Sequence, residues 1–346
     1  MFVRNAWYGA GFSHQLVAGQ LHPVEIIGEP VVLWRDTGGR AIAFEDRCAH
    51  RLAPLSMGRL EGDALRCLYH GVLFDATGQG VQVPGQPKPS EGMRVRRYPV
   101  HEQEGWLWVW MGEPALADVT LVPAALALSD ERWTLGGAQV DYVANYELIN
   151  DNLCDFSHVT FVHLNSFGGG HEGVVDAFAA RPHIEPLERG IRVTRWAENV
   201  AAPPFLATAS VDGRLDLYQT YDYLVPGVLL MWGGLFPVGT AKACRLEKPT
   251  AEPLHCNFSS QVVTPIDAQR TRYYFTWGPA TRENRPFLKD VMVQLASTAF
   301  EEDRLMIEAQ QRSLNRTATV TMQPTVHDRG PNLMRGVIRR LVEQEA

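Results

Sequence analysis

The sequence of 346 residues is poor in basic runs, long apolar runs and cysteine. Lys and Arg total 32 against 39 Asp and Glu, and no basic stripe is present, so we expect no nucleic-acid partner. No apolar run approaches the roughly 20 residues of a membrane span, and the opening "MFVRNAWYGAG" lacks the apolar core of a signal peptide. We therefore expect a cytoplasmic protein that does not enter the membrane.

The five cysteines form an odd number. Because disulfides are rare in the cytosol, we interpret Cys154, Cys244 and Cys256 as reduced thiols.

A G-x-G-x-x-G nicotinamide fingerprint is also absent, so a nicotinamide site within this chain is not expected.

Length and patterning indicate two domains. Residues 1–115 contain short β-rich runs divided by Gly, Pro and Asp turns, among them "PVVLWRD", "AIAFED" and "WLWVWMG". Residues 116–346 mix longer strands, such as "GIRVTRWAE" and "RTRYYFTW", with a helical stretch at 144–163 and a long amphipathic helix at about 286–313. We place the domain boundary near residue 115.

Two mixed Cys-His pairs lie close together in the first domain. Cys48-x-His50 is followed, after sixteen residues, by Cys67-x-x-His70. Structural zinc sites usually pair cysteine with cysteine and histidine with histidine. Mixed pairs instead suit a [2Fe–2S] cluster in which two thiolates hold one iron and two imidazoles hold the other. Structural zinc remains the alternative.

The stretch "CAHRLAPLS…CLYHG" resembles the Rieske motif, Cys-x-His-x(15–17)-Cys-x-x-His. The resemblance includes Pro54 and Gly71, which help to shape the cluster loops of that family. It implies that the two cysteines and two histidines named above bind a Rieske [2Fe–2S] cluster.

A second set of polar residues occurs in "NDNLCDFSHVTFVH". Asn152, Asp155 and His158 are spaced i, i+3, i+6 and are expected to share one face of a helix. His163 lies about 140° from that face, so the two imidazoles converge only if the helix ends or distorts between them. Two imidazoles and one carboxylate form the facial triad of non-haem Fe(II) oxygenases.

The missing carboxylate is sought in "LASTAFEEDRLMIEAQQ". Its inward stripe is predicted to contain Ala296, Ala299, Phe300, Met306, Ile307 and Gln310. Asp303 falls on that stripe, whereas Glu301, Glu302 and Arg304 are predicted to point away. A carboxylate buried alone is costly, so Asp303 needs a cationic or metal partner. A capped or solvated helix acid is the alternative.

The spacing Asn-x-x-Asp-x-x-His-x(4)-His resembles the mononuclear iron motif of Rieske oxygenase α-subunits. The resemblance implies that His158, His163 and Asp303 bind Fe(II), and that Asn152 and Asp155 are catalytic-site residues. Asp155 would be hydrogen-bonded to His158 and, in a head-to-tail homotrimer, to His70 of a neighbouring subunit. It also implies an α+β fold, in which an N-terminal all-β Rieske [2Fe–2S] domain precedes a helix-grip, START-like catalytic domain with an antiparallel sheet.

Further stretches, "FVRNAWY", "VPGQ" at 83–86 and "WVWMGEPALAD", resemble the vanillate O-demethylase, dicamba monooxygenase and toluenesulfonate methyl-monooxygenase group. The implied partners are O2, an aromatic acid and a separate NAD(P)H-dependent ferredoxin-type reductase. The implied reaction is O-demethylation of a vanillate-like methoxybenzoate with release of formaldehyde. Methyl hydroxylation of a toluenesulfonate-like aromatic to a benzylic alcohol is the alternative, and an electron carrier or a zinc-dependent binding protein would be a different class.

The substrate pocket is expected to be apolar with a few placed polar groups. Candidate walls are Pro203, Phe205, Met231, Trp232 and the inward residues of the helix at 286–303. No single anchor for an anionic substrate is identifiable from the sequence.

The glycine-rich segment at 165–185 directly follows a predicted metal ligand. It is interpreted as a lid, with a merely disordered loop as the alternative. Within it, His171 is a candidate for the pocket mouth.

Overall fold

The computed structural model of the protein describes residues 1–128, 130–168, 172–202, 213–317, 319 and 321–345. The chain forms two compact units. The first contains 1–122 with 264–268 and Glu345, and the second contains 123–263 and 269–344. The division at residue 115 remains a proposal for the domain boundary. No helix among the described residues is both long and apolar enough to cross a membrane.

The first unit consists of three small antiparallel sheets joined by turns, as its short alternating runs predict. Their strand orders are β1-β11-β10, β2-β3-β4-β9 and β5-β6-β7-β8. The strands are β1 (Trp7–Phe12), β2 (His22–Ile26), β3 (Glu29–Arg35), β4 (Ala41–Glu45), β5 (Arg59–Glu61), β6 (Ala64–Arg66), β7 (Leu73–Phe74), β8 (Gly80–Gln82), β9 (Arg97–Tyr98), β10 (Val100–Gln103) and β11 (Trp106–Trp110). The tryptophans of β11 are fully buried, so this aromatic stripe is core.

The second unit is built on one seven-stranded antiparallel sheet with the order β12-β18-β17-β16-β15-β14-β13. Its strands are β12 (Gly136–Tyr142), β13 (His183–Leu187), β14 (Gly190–Ala201), β15 (Arg214–Leu224), β16 (Val228–Phe236), β17 (His255–Pro265) and β18 (Thr271–Pro279). Between β15 and β16 the chain reverses at Val225–Gly227, where Pro226 has no N–H to donate to a continuous strand.

The helices of this unit are α1 (Tyr146–Cys154), α2 (Val159–Val162), α3 (Glu172–Ala179), α4 (Thr240–Ala243), α5 (Phe287–Arg316) and α6 (Arg329–Gln344). The helix α5 packs its apolar stripe against β12 and β18. The buried residues of α5 are Leu288, Met292, Ala296, Ala299, Phe300, Asp303 and Ile307. A sheet that packs on one long helix is the helix-grip arrangement, so the predicted fold class is confirmed.

Two details of the helix predictions are wrong. The helical stretch at 144–163 is interrupted at Asp155, whose φ of −141° and ψ of 109° are extended. Its carboxylate caps the following turn by accepting hydrogen bonds from Ser157, which competes with helix continuation. On α5, Met306 and Gln310 were predicted to point inward but are exposed. The inward-facing residues at that end of the helix are Asp303 and Ile307, which lie four residues apart on one face.

Candidate functional site

Two loops of the first unit carry the Cys-His pairs. One loop follows β4 and the other follows β6. In the first, the Cys48 N–H donates to Ala53 O at 2.8 Å, and the Leu52 N–H donates to Cys48 O at 2.9 Å. The second loop repeats the latter bond, since the Gly71 N–H donates to Cys67 O at 3.0 Å. The two loops therefore present their cysteines through the same backbone turn.

Gly71 occupies the left-handed position of its turn with a φ of +75°. A Cβ atom at this position would lie 2.7 Å from the Pro84 Cγ, closer than van der Waals contact allows. The turn after Cys67 thus requires glycine for both its backbone conformation and its close approach to the adjacent loop.

The two loops turn their thiols inward and their imidazoles outward. Cys48 and Cys67 are each 1% exposed, whereas His50 and His70 are exposed and their ring centroids lie 4.5 Å apart. Burial raises the pKa of the Cys48 thiol, and a hydrogen bond with Cys67 adds to this rise. Two thiols in the core and two imidazoles at the surface fit the donor set of a mixed-ligand [2Fe–2S] cluster.

A second group of candidate metal ligands lies in the second unit. His158 precedes α2, His163 follows it, and Asp303 faces them from α5. The Nε2 atoms of His158 and His163 lie 3.6 Å from Asp303 Oδ1 and Oδ2 respectively. The three potential ligand atoms all lie within 4.8 Å of one another. Because the four-residue helix α2 ends at His163, the two imidazoles converge although their spacing does not fit one helix face.

The outer nitrogens of the two imidazoles both contact oxygen acceptors. His158 Nδ1 lies 2.7 Å from Asp155 O, and His163 Nδ1 lies 3.2 Å from Glu302 Oε2. A proton on Nδ1 leaves each Nε2 unprotonated, which is the form that binds a metal, and outer partners of this kind are typical of metal-bound histidines. The donor set is therefore oriented for a cation.

Burial controls the protonation of these groups. It raises the pKa of Asp303 to about 7, and a hydrogen bond from Asn152 opposes this rise. Burial, with a smaller effect from His163, lowers the pKa of His158 to about 4. Burial also lowers the pKa of His163, although Glu302 favours its protonated form. Both imidazoles are consequently neutral at pH 7, which is the form that binds a metal.

Asn152 links two of these side chains. Its Nδ2 donates to Asp303 Oδ1 at 3.0 Å and lies 3.3 Å from His158 Nε2. Asn152 therefore holds the carboxylate beside the imidazole before a metal binds.

A cavity of about 190 Å³ opens directly onto these residues. Its wall is mainly aromatic and aliphatic, and it receives side chains from the inner face of the sheet, from α3 and from α5. Large apolar side chains on the wall include Phe156, Phe167, Phe178, Met231, Trp277 and Phe300, and polar ones include Gln219, Asn257, Ser259 and Gln261. For scale, an apolar cavity of about 150 Å³ admits benzene.

Two family models match the chain. The Rieske [2Fe-2S] domain matches residues 6–99, which contain both Cys-His loops. The C-terminal domain of the vanillate O-demethylase oxygenase matches residues 142–344, which contain the second metal-binding group. The chain belongs to the Rieske non-haem iron oxygenases.

Relatives of this oxygenase match it over nearly their whole length. The iron–sulfur subunit of the toluene-4-sulfonate monooxygenase system of Comamonas testosteroni is 34% identical over 100% of this chain and 98% of its own. A vanillate O-demethylase oxygenase subunit of a Pseudomonas species is 32% identical over 92% of this chain and 96% of its own. The crystal structure of dicamba monooxygenase bound to dicamba superposes with a TM-score of 0.87 at 25% identity, over 99% of this chain and 98% of that one.

Two sequence-based placements around the mononuclear site of this oxygenase need correction. The Asp155 carboxylate does not bond to His158, because the imidazole contacts the Asp155 backbone carbonyl and the carboxylate accepts from Ser157. Glu302 does not point away from the site, because it reaches His163 from the flank of α5. The spacing of apolar residues along a helix does not identify an acid that lies beside the apolar stripe.

Some of the predicted pocket walls are found on the cavity. Met231 lines it, whereas Trp232 does not, because adjacent strand residues face opposite sides of a sheet. Pro203, Phe205 and His171 lie outside the described residues. Phe167 and four residues of α3 also line the cavity, so part of the segment 165–185 contributes to its wall. A lid motion stays a prediction.

Proposed function

We propose that this oxygenase inserts one oxygen atom from O2 into the methyl or methoxy C–H bond of a substituted aromatic acid. The observation that carries the proposal is the placement of two neutral imidazoles and one carboxylate on an apolar cavity sized for a single substituted ring.

The donor set fits Fe(II). The potential ligand atoms of His158, His163 and Asp303 lie within 4.8 Å of one another, and two imidazoles with one carboxylate are the ligand types of a facial triad. When bound there, Fe(II) supplies the O2 activation needed to attack a C–H bond. We assign Asn152 to hold the Asp303 carboxylate, and the Asp155 carbonyl and Glu302 to fix the two imidazoles.

The cavity wall performs the remaining tasks. Aromatic side chains such as Phe156 and Phe300 line the cavity, where they would exclude water and pack against a planar ring. The amides of Gln219 and Asn257 offer hydrogen bonds to ring substituents. A bound ring therefore presents one substituent to the metal ligands, which is the positioning that selective C–H attack requires.

The first candidate reaction is O-demethylation of a vanillate-like methoxybenzoate. Oxidation of a methoxy carbon yields a hemiacetal, which releases formaldehyde and leaves a phenol. The C-terminal domain match, to vanillate O-demethylase oxygenases, favours this candidate.

The second candidate is hydroxylation of an aromatic methyl group to a benzylic alcohol. Identities of 34% and 36% to two toluene-4-sulfonate monooxygenase subunits of Comamonas testosteroni favour this candidate.

Electrons must come from a separate protein. We propose an NAD(P)H-dependent ferredoxin-type reductase that reduces the cluster held by Cys48, His50, Cys67 and His70. Several relatives are named as oxygenase components, which supports a multicomponent system. We further propose a homotrimer in which the Asp155 carboxylate contacts His70 of a neighbouring subunit. The carboxylate can make this contact because its hydrogen bonds with Ser157 leave lone pairs available.

The test is NADH-driven turnover with a ferredoxin-type reductase against a panel of methoxylated and methylated aromatic acids. Stoichiometric formaldehyde from a methoxybenzoate establishes O-demethylation, and a benzylic alcohol without formaldehyde establishes methyl hydroxylation. An Asp303→Asn variant is expected to form neither product, whereas the control Glu301→Gln, which alters an exposed acid on the same helix, retains turnover. The absence of substrate-dependent O2 uptake across the panel contradicts the proposal.

A further inference from the structure

Arg195 is a buried cation without a counter-ion among the described residues. It lies on β14 and is only 5% exposed. Its Nε and Nη1 atoms have no hydrogen-bond partner in the described part of the chain. Because removal of a guanidinium from water is costly, buried arginines are normally paired with an anion. A missing partner at this position indicates a ligand.

The sheet register directs Arg195 toward the side on which the cavity lies. Arg195 is directly opposite Gln219 of β15, and opposite residues of an antiparallel pair share one face. Two positions further along β14, Ala197 is opposite Leu217. Both Gln219 and Leu217 line the cavity. Arg195 therefore lies in the same layer of side chains as the cavity wall.

The guanidinium packs against an aromatic ring that lines the cavity. The Arg195 Cζ atom lies 4.9 Å from the centroid of the Phe178 ring, and Phe178 lines the cavity. Phe178 contacts Phe156 at 6.4 Å between centroids, and Phe156 contacts His158 at the same separation. This row of rings leads from His158 to the guanidinium and gives the direction in which a bound aromatic substrate would extend.

The nearby acid does not neutralise this cation. The Asp155 carboxylate accepts two hydrogen bonds from Ser157, and no ion pair joins it to Arg195 in the described part of the chain. Gln219, the neighbour across the strands, donates its amide to the Met231 sulfur, a weak acceptor. The Arg195 guanidinium and the Gln219 amide are therefore both available to donate to an incoming anion.

Resting on the proposed function, we infer that Arg195 anchors the anionic group of the aromatic substrate, with the Phe178 ring turned aside and the Gln219 amide as a second donor. The shared chemistry of the ligand is a planar ring with a carboxylate or a sulfonate. A guanidinium binds either group through two parallel N–H bonds, which gives orientation as well as affinity. The other end of the ring then faces His158.

Binding rather than turnover tests this assignment. Calorimetric titration of the holoenzyme uses 4-methoxybenzoate, toluene-4-sulfonate and the neutral 4-methoxybenzyl alcohol. Arg195→Gln is expected to weaken binding of the anion that the enzyme prefers by roughly 10- to 100-fold, the range for loss of a charge-assisted hydrogen bond, and to leave the alcohol unchanged. The control Arg192→Gln removes a cation from the same strand that is paired with Asp222, and binding is expected to be unchanged.

A second variant separates a ligand role from a structural one. Arg195→Met removes an unpaired buried charge, so the ligand-free protein is expected to melt at the same or a higher temperature while the stabilisation by the anion is lost. A lower melting temperature with unchanged ligand stabilisation assigns Arg195 a structural role and overturns the inference. Equal anion affinity in Arg195→Gln and the unaltered enzyme overturns it while leaving the proposed function intact. If the unaltered enzyme binds neither anion, both are overturned.

Discussion

Glu302 orients a predicted iron ligand, and its replacement by alanine is expected to weaken metal binding at the mononuclear site. Its Oε2 accepts from His163 Nδ1 at 3.2 Å and from Ser166 Oγ at 2.5 Å, and its Oε1 accepts from the Asn165 N–H at 3.1 Å. The side chain is 15% exposed. Burial opposes ionisation, but these hydrogen bonds together hold the pKa of Glu302 below its usual value, so it is a carboxylate at pH 7.

The magnitude follows from the lost hydrogen bond. A partly buried bond to a charged acceptor contributes about 1.5–3 kcal/mol, which corresponds to roughly 10- to 100-fold in affinity. The same range applies to removal of an outer partner of a metal-bound histidine. Titration of the iron-depleted protein with Fe(II) under anaerobic conditions measures this change, while the visible absorbance of the cluster is expected to stay the same.

The matched control is Glu301→Ala. Glu301 is adjacent, its side chain is 50% exposed, and it pairs with Arg304 instead of a metal ligand. Its loss is expected to leave iron affinity within about twofold, since exposed ion pairs contribute little. Equal iron affinity in the Glu302→Ala and Glu301→Ala variants would refute the assignment of Glu302.

Three further predictions concern the electron path, the pH dependence and the cluster loop. Asp155→Asn is expected to leave both metals bound yet nearly abolish coupled turnover, as measured by product formed per NADH; normal coupling would remove Asp155 from the path. Because burial raises the pKa of Asp303 to about 7 while His158, with a pKa of about 4, stays neutral, metal binding should release the Asp303 proton below pH 7. Affinity for Fe(II) should therefore fall about tenfold per pH unit below 7, and a pH-independent affinity between 5.5 and 7 would contradict this. Gly71→Ala is expected to cost about 1–3 kcal/mol of unfolding free energy in denaturant titrations, since it strains a positive φ and collides with Pro84.

Gly85→Ala is the control for the glycine prediction. Gly85 has a φ of +79°, but nothing lies within 4 Å of a Cβ at that position. It therefore reports backbone strain alone. If both variants lose the same stability, the contact with the proline ring does not contribute.

The candidate metal ligands are the residues whose grouping the sequence indicates most directly. Cys48 and His50 lie two residues apart on one turn, and Cys67 and His70 lie three residues apart on a similar turn, so local spacing carries the information. The same holds for His158 and His163, which are held at the two ends of a single four-residue helix. Asp303 can be identified from the sequence because it is a charged residue within an apolar stripe of the helix.

The groups that surround these ligands were not predictable in the same way. Glu302 lies on the flank of α5, and its contact with His163 depends on how a loop packs against a helix. Arg195 is one of several arginines in strands. Its burial depends on the pairing register that places it opposite Gln219, and the alternation of polar and apolar residues does not predict that register. Asp155 was predicted as a helical residue, but its bonds to Ser157 stabilise a turn instead.

The most direct test of the central claim is the iron and acid-labile sulfide content of the purified protein and of its Asp303→Asn variant. A Rieske cluster and a separate mononuclear centre predict about three irons and two sulfides per chain, with one iron and no sulfide lost in the variant. The same iron content in both proteins, or stoichiometric zinc without sulfide, would contradict the two-centre assignment.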